Sequence, residues 1–484
     1  MLFHSLTFIF CFLPIVATCY FVLKKFEAKS FSQIFLVIAS LTFYSWWDII
    51  YLPLILGSMA FNFCVGKLLE KQDLQSGRAK QALLLFGICV NLGLLGYFKY
   101  SDFLIRNYNM VFHDHIALLE LTLPLAISFF TFQQIIYLVD TYRGMIRDVD
   151  LVSYSLFVSF FPQLIAGPIV HHSETVPQFK DINKSTFNSE NVSHGLLFLT
   201  IGLFKKVIIA DQFAIWANAG FDNSHTLYFF EAWLTSLSYT FQLYFDFSGY
   251  ADMAIGIALM FNIKLPLNFD SPYKSLDIQQ FWRRWHMTLS RFLRDYVYIP
   301  LGGNRGSEKK VKINLMITFT LGGLWHGAGW TFILWGVLHG IALVLHRIWQ
   351  KVPYKLNQYF AWFITFNFVN IAWVLFRASE FSEALKVLKG MFLMNGINLP
   401  AYFKTELSDF SFFKFTNFLA QINGNKSTFL WVLMGLIVVT ILPNSNEIKE
   451  RFEPNRKWLI LLCTAFLVSI MSLNKPTEFL YFNF

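Results

Sequence analysis

Long apolar runs, repeated along nearly the whole chain, constrain this sequence more than any other feature. Only 14% of the residues are charged, whereas soluble domains average about 25%. A helix needs about 20 mostly apolar residues to cross a bilayer, and it satisfies its own backbone hydrogen bonds in lipid. We therefore predict an all-α polytopic membrane protein with about ten to thirteen membrane spans or re-entrant helices. The apolar runs cover residues 6–23, 31–47, 49–66, 82–98, 123–139, 195–210, 229–261, 311–325, 330–348, 359–376, 429–442 and 458–473.

Positive charges are concentrated in the short loops between these runs. Because Lys and Arg are retained on the cytoplasmic side of a membrane, their alternation predicts an external N-terminus. No Lys or Arg precedes residue 6 and no clear cleavage site follows, so we interpret the first run as a retained helix. The cations in these loops account for the net charge of +9, so nucleic acid is not expected as a partner. The loop cations after the first, third and fifth runs are Lys24, Lys25, Lys29, Lys67, Lys71, Arg78, Lys80, Arg143 and Arg147.

No internal repeat or low-complexity segment divides the chain, so we expect a single membrane domain over residues 1–484. Within it we expect N-terminal helices at 1–140, a catalytic core at 141–350, and C-terminal helices with an aromatic tail at 351–484. Residues 160–168 form an apolar run broken near its end, which is typical of a re-entrant segment. Residues 99–112 predict an interfacial amphipathic helix or a soluble loop. Residues 396–427 predict a loop with short surface helices.

Charged residues also occur inside apolar runs. Asp246 and Asp252 interrupt run 229–261, and intramembrane carboxylates face the protein interior. We expect them to pair with nearby arginines, although a chemical role stays open. Lys205 and Lys206 interrupt another run, and we interpret them as lysines that snorkel to an interface rather than as an anion site.

Residues 281–340 concentrate the chemistry of the chain. Apolar residues recur at helical spacing between 275 and 298, which predicts one amphipathic helix with arginines on its other side. His286 falls at the margin of the apolar stripe, so we expect it to be half-buried. A lone histidine at such a place is more often a core residue than a catalytic one.

His326 is the stronger candidate because of its depth. The loop that precedes it is basic and therefore cytoplasmic, and a helix from residue 313 would carry His326 roughly 20 Å above that loop. An ionisable residue so deep in a hydrocarbon core of about 30 Å is a functional candidate. Four glycines, at 322, 323, 327 and 329, leave room for a ligand or for another backbone.

His339 is a third intramembrane histidine that could join this site. No H-x-x-x-H or H-E-x-x-H motif is present, so we expect no metal centre. His171 and His172 precede polar residues and predict an exposed loop.

No nucleophilic serine or cysteine motif accompanies these histidines. A buried neutral histidine can act as a general base, taking the proton of a hydroxyl whose oxygen attacks a thioester carbonyl. A second histidine or a tryptophan N–H could orient the donor or stabilise the oxyanion.

Four motifs then point to a family: NFDSPY at 268–273, FWRRWHMTLS at 281–290, RDYVYIPLGGNR at 294–305 and GGLWHGA at 322–328. Together with SFFTFQ at 128–133, AGPI at 166–169 and FSGYADMA at 247–254, they resemble the membrane-bound O-acyltransferase family. The similarity is to its bacterial branch that O-acetylates alginate and other exported polysaccharides. The resemblance spans most of the chain.

This resemblance implies about eleven transmembrane helices, plus re-entrant and interfacial helices, around a central tunnel or funnel. It implies that His326 is the essential histidine and His286 the second motif histidine. It implies no bound cofactor, and acetyl-CoA as an acyl-donor substrate that enters from the cytoplasm. It places the chain in the bacterial inner membrane, among lipids, with a periplasmic esterase-like acetyltransferase as partner and an exported glycan as indirect acceptor. The residues expected to bind the donor or support the site are Trp325, Trp285, Arg283, Arg284, Arg305 and His339.

The aromatic end of the chain, EFLYFNF at 478–484, also resembles the usual terminus of the family. Our hypothesis is that Tyr481 carries the acyl group transiently as a phenol ester. The equally weighted alternative is an aromatic anchor at the membrane interface.

Two other functions stay open. D-alanyl transfer to teichoic acid from a carrier protein belongs to the same family, and the extended loop 301–312 favours the acetylating branch instead. A proton-coupled transporter would also bury His and Asp residues, but no inverted repeat is present in the sequence.

Overall fold

A computed structural model describes residues 1–26, 29–71, 77–181, 187–404, 410, 412–473 and 480. Within these residues the chain is predominantly helical, as predicted. The sheet found there is one parallel pair of two-residue strands, Ile397–Asn398 and Phe413–Lys414. The polar segment around these strands otherwise holds short turns, which agrees with the predicted loop.

The α-helices follow one another with short connections. In chain order they are Leu13–Lys25, Lys29–Ser45, Leu52–Glu70, Gly77–Phe112, Ile127–Tyr142, Leu151–Ser159, Phe161–Leu164, His172–Asp181, Ser189–Phe204, Asp211–Asn218, Phe229–Met260, Ile278–Arg284, Met287–Leu293, Glu308–His326, Trp330–Trp349, Gln358–Arg377, Phe381–Met391, Lys426–Thr440, Ser445–Glu450 and Arg456–Met471. Wider π turns lie at Phe8–Phe12, Lys205–Ala210, Ala219–Asn223 and Arg294–Tyr298, and 3₁₀ turns at Ile49–Tyr51, Pro272–Lys274, Ala401–Phe403 and Ala420–Ile422.

Among the described residues, six helical stretches are long and apolar enough to cross a membrane. The chain is therefore a multi-pass membrane protein, while the expected total of about eleven spans stays a prediction. The six stretches are Phe8–Lys25, Ile49–Glu70, Gly77–Phe112, Ser189–Asn223, Trp330–Trp349 and Gln358–Arg377.

The helices pack into two compact units, each of which has its own interior. The first unit comprises Met1–Leu203, Tyr250–Leu267 and Glu453–Leu473. The second comprises Phe204–Gly249, Asn268–Phe452 and Asn474–Phe484. The single domain over residues 1–484 stays a prediction.

In the first unit, buried amides join neighbouring helices. Asn62 and Asn91 exchange two side-chain hydrogen bonds of 3.1 and 2.6 Å. Both are almost fully buried, so each amide replaces the water that it loses on folding. This pairing fixes the register between the helices Leu52–Glu70 and Gly77–Phe112.

Two predictions for the first unit are wrong. Residues 99–112 are helical, so the soluble-loop alternative is wrong; they continue the helix Gly77–Phe112 without a break. His172 is buried rather than in an exposed loop, because it begins a helix and its ring packs against Phe157. The predicted break near the end of residues 160–168 is confirmed, because the short helix Phe161–Leu164 ends there and the buried residues after it are not helical.

In the second unit, the charges inside the apolar runs pair with one another. Lys206 is 2% exposed, and its Nζ lies 2.8 Å from a carboxylate oxygen of Asp246 and 2.8 Å from one of Asp211. The predicted pairing of Asp246 is confirmed, but its partner is a lysine rather than an arginine. The prediction that Lys206 snorkels to an interface is wrong. Its charge is buried beside Asp246, because a buried carboxylate needs a cation next to it.

Candidate active site

His286 lies at a sharp break between two short helices. The helix Ile278–Arg284 ends just before it, and His286 itself adopts left-handed backbone angles, with φ 41° and ψ 55°. Such a conformation costs a non-glycine residue roughly 1–2 kcal/mol. Strain of this kind is concentrated at functional sites.

Neighbouring backbone causes the break. The N–H of Asp270 donates to the carbonyl of Arg284 at 3.0 Å, and the N–H of Met287 donates to the carbonyl of Asn268 at 2.9 Å. These bonds replace those that a continuous helix would form. The single amphipathic helix predicted over residues 275–298 is therefore wrong, and so is the half-buried position of His286, which is fully buried.

The side chain of Asn268 fixes the protonation of His286. Its Oδ1 lies 3.3 Å from the backbone nitrogen of Thr288, and a backbone N–H can only donate, so that atom is an acceptor. The His286 Nδ1, 3.0 Å from the same oxygen, must then carry the proton. Burial lowers the pKa of His286 to about 3, so the ring is neutral and Nε2 holds a lone pair. No described residue forms a hydrogen bond with Nε2.

His326 is the last residue of the helix Glu308–His326 and is also buried. At about 1.5 Å per residue, this helix separates it from Glu308 by about 27 Å. The imidazole packs edge-on against Trp335 at 5.2 Å and against Phe376 at 5.0 Å between ring centroids. It therefore lies in an aromatic enclosure.

One tryptophan joins the two predicted catalytic histidines. The ring of Trp325 lies 4.9 Å from that of His326 and 6.3 Å from that of His286. The structure thus brings both histidines into one buried cluster, although they come from elements 40 residues apart in the numbering. We call the cluster of His286, Trp325 and His326 the histidine site.

His339 borders this site, since its ring also contacts Trp335. The two rings are 4.8 Å apart, and the indole N–H of Trp282 donates to the His339 Nδ1 at 3.2 Å. Trp373 and Phe368 complete the surroundings of the His339 ring, which is fully buried. The prediction that His339 could join the site is compatible with this placement.

The glycines near His326 serve helix packing. A Cβ at Gly323 would lie 2.3 Å from the carbonyl oxygen of Phe332 and 3.0 Å from the Cα of Gly336. The helices Glu308–His326 and Trp330–Trp349 therefore approach with their backbones almost in contact. Close helix packing, rather than room for a ligand, accounts for Gly323.

The other predicted supporting residues are dispersed. Trp285 is a buried core residue stacked on Phe281. Arg283 and Arg305 are exposed and Arg284 is half-buried; among the described residues, none of their side chains forms a hydrogen bond or ion pair.

The loop that bears Arg305 lies at the end of the helix Glu308–His326 that is remote from His326. Arg347 and Lys351 bind the Glu308 carboxylate there at 3.2 and 3.1 Å, and these bonds hold the pKa of Glu308 below its usual value. The helices Glu308–His326 and Trp330–Trp349 form a helical hairpin. With Lys309 and Lys310 beside Glu308, this end of the hairpin is strongly basic.

Tyr481 lies outside the described residues. Its neighbour Leu480 is described and is 4% exposed, and its backbone N–H donates to the Asp246 Oδ2 at 3.2 Å. Among the described residues, no group of three or more metal-binding side chains is assembled. Asn268, Trp282 and Trp335 were missed as site residues; the turn-forming motif NFD at 268–270 was the available signal for Asn268.

Buried histidines in a multi-pass helical protein indicate a functional site, and comparisons with known proteins give the family of the chain. The profile of the MBOAT, membrane-bound O-acyltransferase family, matches residues 142–379. The chain is 47% identical to the peptidoglycan O-acetyltransferase of Helicobacter pylori, over 100% of this chain and 98% of that protein. It is 41% identical to the probable alginate O-acetylase AlgI of Pseudomonas aeruginosa, over 81% of this chain and 75% of that protein.

The chain is more distantly similar to the teichoic acid D-alanyltransferase of Streptococcus thermophilus. The identity is 28%, over 48% of this chain and 59% of that protein. The chain belongs to the membrane-bound O-acyltransferase family, in its bacterial polysaccharide O-acetyltransferase branch. It is an acyltransferase, and the transporter hypothesis is set aside.

Proposed function

We propose that the chain moves an acetyl group from cytoplasmic acetyl-CoA across the membrane for the O-acetylation of a cell-surface polysaccharide. The observation that carries this proposal is the histidine site, in which two buried histidines from separate motifs share one tryptophan. In a family of O-acyltransferases, such a site provides the base that a hydroxyl needs to attack a thioester.

In this mechanism His326 takes the proton of the attacking hydroxyl while the oxygen forms a bond to the thioester carbon. The carbonyl π electrons move onto the carbonyl oxygen. When that C=O bond reforms, the C–S bond breaks, and the leaving thiolate takes the proton from the His326 imidazolium. The hydroxyl has a single hydrogen, which His326 takes; His286, whose Nε2 holds a lone pair because Asn268 holds the proton on Nδ1, orients the substrate by accepting a hydrogen bond from another of its N–H or O–H groups.

The basic end of the hairpin suits the donor. Coenzyme A carries phosphates, and Arg305, Lys309 and Lys310 are exposed at that end. Since the helix Glu308–His326 is about 27 Å long, the donor's phosphates and its thioester would occupy opposite ends of it. Arg283 and Arg284 are further candidate donor contacts.

The named activities of the relatives support one choice of acceptor polymer. The peptidoglycan enzyme aligns with the whole chain at higher identity than the alginate enzyme does, which favours peptidoglycan over an alginate-like glycan. We place the chain in the bacterial inner membrane, with an external N-terminus and a periplasmic esterase-like acetyltransferase as partner. Base-labile acetate on peptidoglycan should be lost when the gene is deleted in its host; unchanged peptidoglycan acetate would redirect the proposal to another glycan.

Tyr481 remains our candidate acyl carrier. The residue before it, Leu480, is 4% exposed, and its backbone N–H donates to the buried Asp246, which places Leu480 itself inside the second unit. Tyr481→Phe keeps an aromatic anchor but removes the phenol oxygen, so it should abolish transfer to the acceptor. Full acetylation by this variant would eliminate the carrier hypothesis and leave the anchor.

The test of the main proposal uses inside-out vesicles that contain the full chain and labelled acetyl-CoA. Wild-type vesicles should transfer label to a protein or polymer, and His326→Ala should lose that transfer by at least about 10²-fold, the lower range for a general base. His225→Ala is the matched control, since His225 is exposed in the same unit. Equal transfer by His326→Ala and the control would refute the role of His326.

D-alanyl transfer is the second candidate, supported by the distant similarity to the teichoic acid enzyme. A labelled D-alanyl carrier protein, offered to the same vesicles in place of acetyl-CoA, distinguishes the two donors.

A further inference from the structure

His339 is buried next to the histidine site, but the proposed mechanism gives it no task. Among the residues that the structure describes, its one hydrogen-bond partner is Trp282, whose indole nitrogen lies 3.2 Å from the His339 Nδ1. An indole N–H is a donor only. The His339 Nδ1 must therefore accept, which leaves the ring proton on Nε2.

That Nε2–H is an unmatched donor. It is buried, and no described residue accepts its hydrogen bond. Leaving a buried donor unpaired costs about 1–3 kcal/mol, and buried polar atoms in native proteins are nearly always paired. A group kept in this state is suited to an acceptor that arrives with a ligand.

His339 and His286 are thus fixed in opposite tautomers. Asn268 accepts from Nδ1 of His286 and leaves a lone pair on its Nε2, whereas Trp282 donates to Nδ1 of His339 and leaves a proton on its Nε2. His286 can accept a hydrogen bond from the substrate, and His339 can donate one to a carbonyl oxygen. An acyl transfer requires both.

The position of His339 agrees with this division. Its ring lies 4.8 Å from that of Trp335, which lies 5.2 Å from that of His326. The two imidazole centroids are therefore no more than about 10 Å apart, which accommodates a hydroxyl, a carbonyl group and two hydrogen bonds of about 2.8 Å. The Trp335 indole N–H is itself buried without an acceptor among the described residues.

We propose that His339 donates its Nε2–H to the carbonyl oxygen of the acyl group and stabilises the oxyanion that forms when the hydroxyl attacks. This role rests on the proposed acyl transfer at His326. As the carbon–oxygen bond forms, the carbonyl electron pair moves onto the oxygen held by His339. The hydrogen bond strengthens as charge develops, and the electron pair returns when the C–S bond breaks.

Two substitutions separate this role from a structural one. His339→Asn places an amide oxygen where Nδ1 was, so it can still accept from Trp282, but it has no donor at the Nε2 position. His339→Gln places an amide N–H near the Nε2 position and gives up the Nδ1 geometry. A donor to the substrate predicts an active Gln variant and an inactive Asn variant, whereas a structural Trp–His bond predicts the reverse.

The assay is thiol release from acetyl-CoA by the full-length chain in inside-out vesicles of its host, which retain the acceptor of the acetyl group, with kcat and KM measured separately and thermal unfolding followed on the purified chain in detergent. We expect His339→Asn to lower kcat roughly 10²–10³-fold, as loss of one oxyanion donor does, with little change in KM or unfolding temperature. We expect His339→Gln to stay within about tenfold of wild type.

Each other outcome has one meaning. If His326→Ala is inactive but His339→Asn turns over like wild type, the donor role of His339 is wrong and the proposed function stands. If His339→Asn keeps its activity while His339→Gln loses activity together with its unfolding temperature, the bond to Trp282 is merely structural and the donor role is again wrong. If the wild-type chain releases no thiol, or His326→Ala is fully active, the proposed function fails and the role of His339 fails with it.

Discussion

Removal of the Asn268 side chain should both destabilise the chain and inactivate it. In Asn268→Ala, the Nδ1–H of His286 and the backbone N–H of Thr288 lose the oxygen that accepts both of them. Both residues are almost fully buried, so water replaces that oxygen poorly. At about 1–3 kcal/mol for each orphaned donor, the free energy of unfolding should fall by about 2–6 kcal/mol.

The measurement is reversible unfolding of the purified chain in detergent with increasing SDS, followed by tryptophan fluorescence. Asn357→Ala is the matched control, because Asn357 is exposed and caps a helix through one bond of 2.9 Å to the N–H of Tyr359. Loss of such a cap costs about 1 kcal/mol. If Asn268→Ala lowers the free energy of unfolding no more than this control does, the hydrogen bonds of the Asn268 side chain do not stabilise the helix break at His286.

Asn268→Asp tests the tautomer instead of the fold. A carboxylate still accepts all the bonds, but a neighbouring negative charge raises the pKa of His286. Below the raised pKa both ring nitrogens are protonated and Nε2 can no longer accept, so turnover should rise with pH as the ring loses a proton. In the wild type, burial holds the pKa of His286 to about 3, and this dependence should be absent near neutral pH. A variant with the wild-type pH profile would contradict the assigned tautomer.

Two further predictions concern packing and charge. Lys206→Met should destabilise the chain by about 3–5 kcal/mol in the same SDS assay, because Asp246 is left as an unpaired buried charge. Adding Asp246→Leu should recover much of the lost stability. No recovery in the double variant would contradict the pairing. Gly323→Ala should cost about 1–3 kcal/mol, since the new methyl group meets the carbonyl of Phe332, whereas Gly329→Ala, with ordinary contact distances and extended backbone, should be close to neutral.

The sequence predicted helices best where hydrophobicity alone decides them. The helix Phe229–Met260 matches the apolar run 229–261, and the hairpin Glu308–His326 and Trp330–Trp349 matches two runs within a few residues. A long apolar segment can satisfy its backbone in lipid only as a helix, so its neighbours hardly influence the outcome. Helix identity is therefore a local property in such a chain.

The break at His286 could not be read in the same way. Residues 275–298 have helical periodicity throughout, yet Asn268 and Asp270 take backbone hydrogen bonds that the helix would otherwise use. The competing partner is distant in sequence from the residue that it displaces. Periodicity contains no information about such long-range competition.

The same distinction applies to the chemistry. Residue types and motifs, by themselves, determined that the chain is a helical membrane acyltransferase and singled out His286, His326 and His339, because buried ionisable groups are expensive wherever they occur. Only the tertiary structure decided which nitrogen of His286 and of His339 bears the proton, since that depends on whether Asn268 or Trp282 faces Nδ1. An imidazole is both donor and acceptor until a partner takes one side, and the partner comes from the fold.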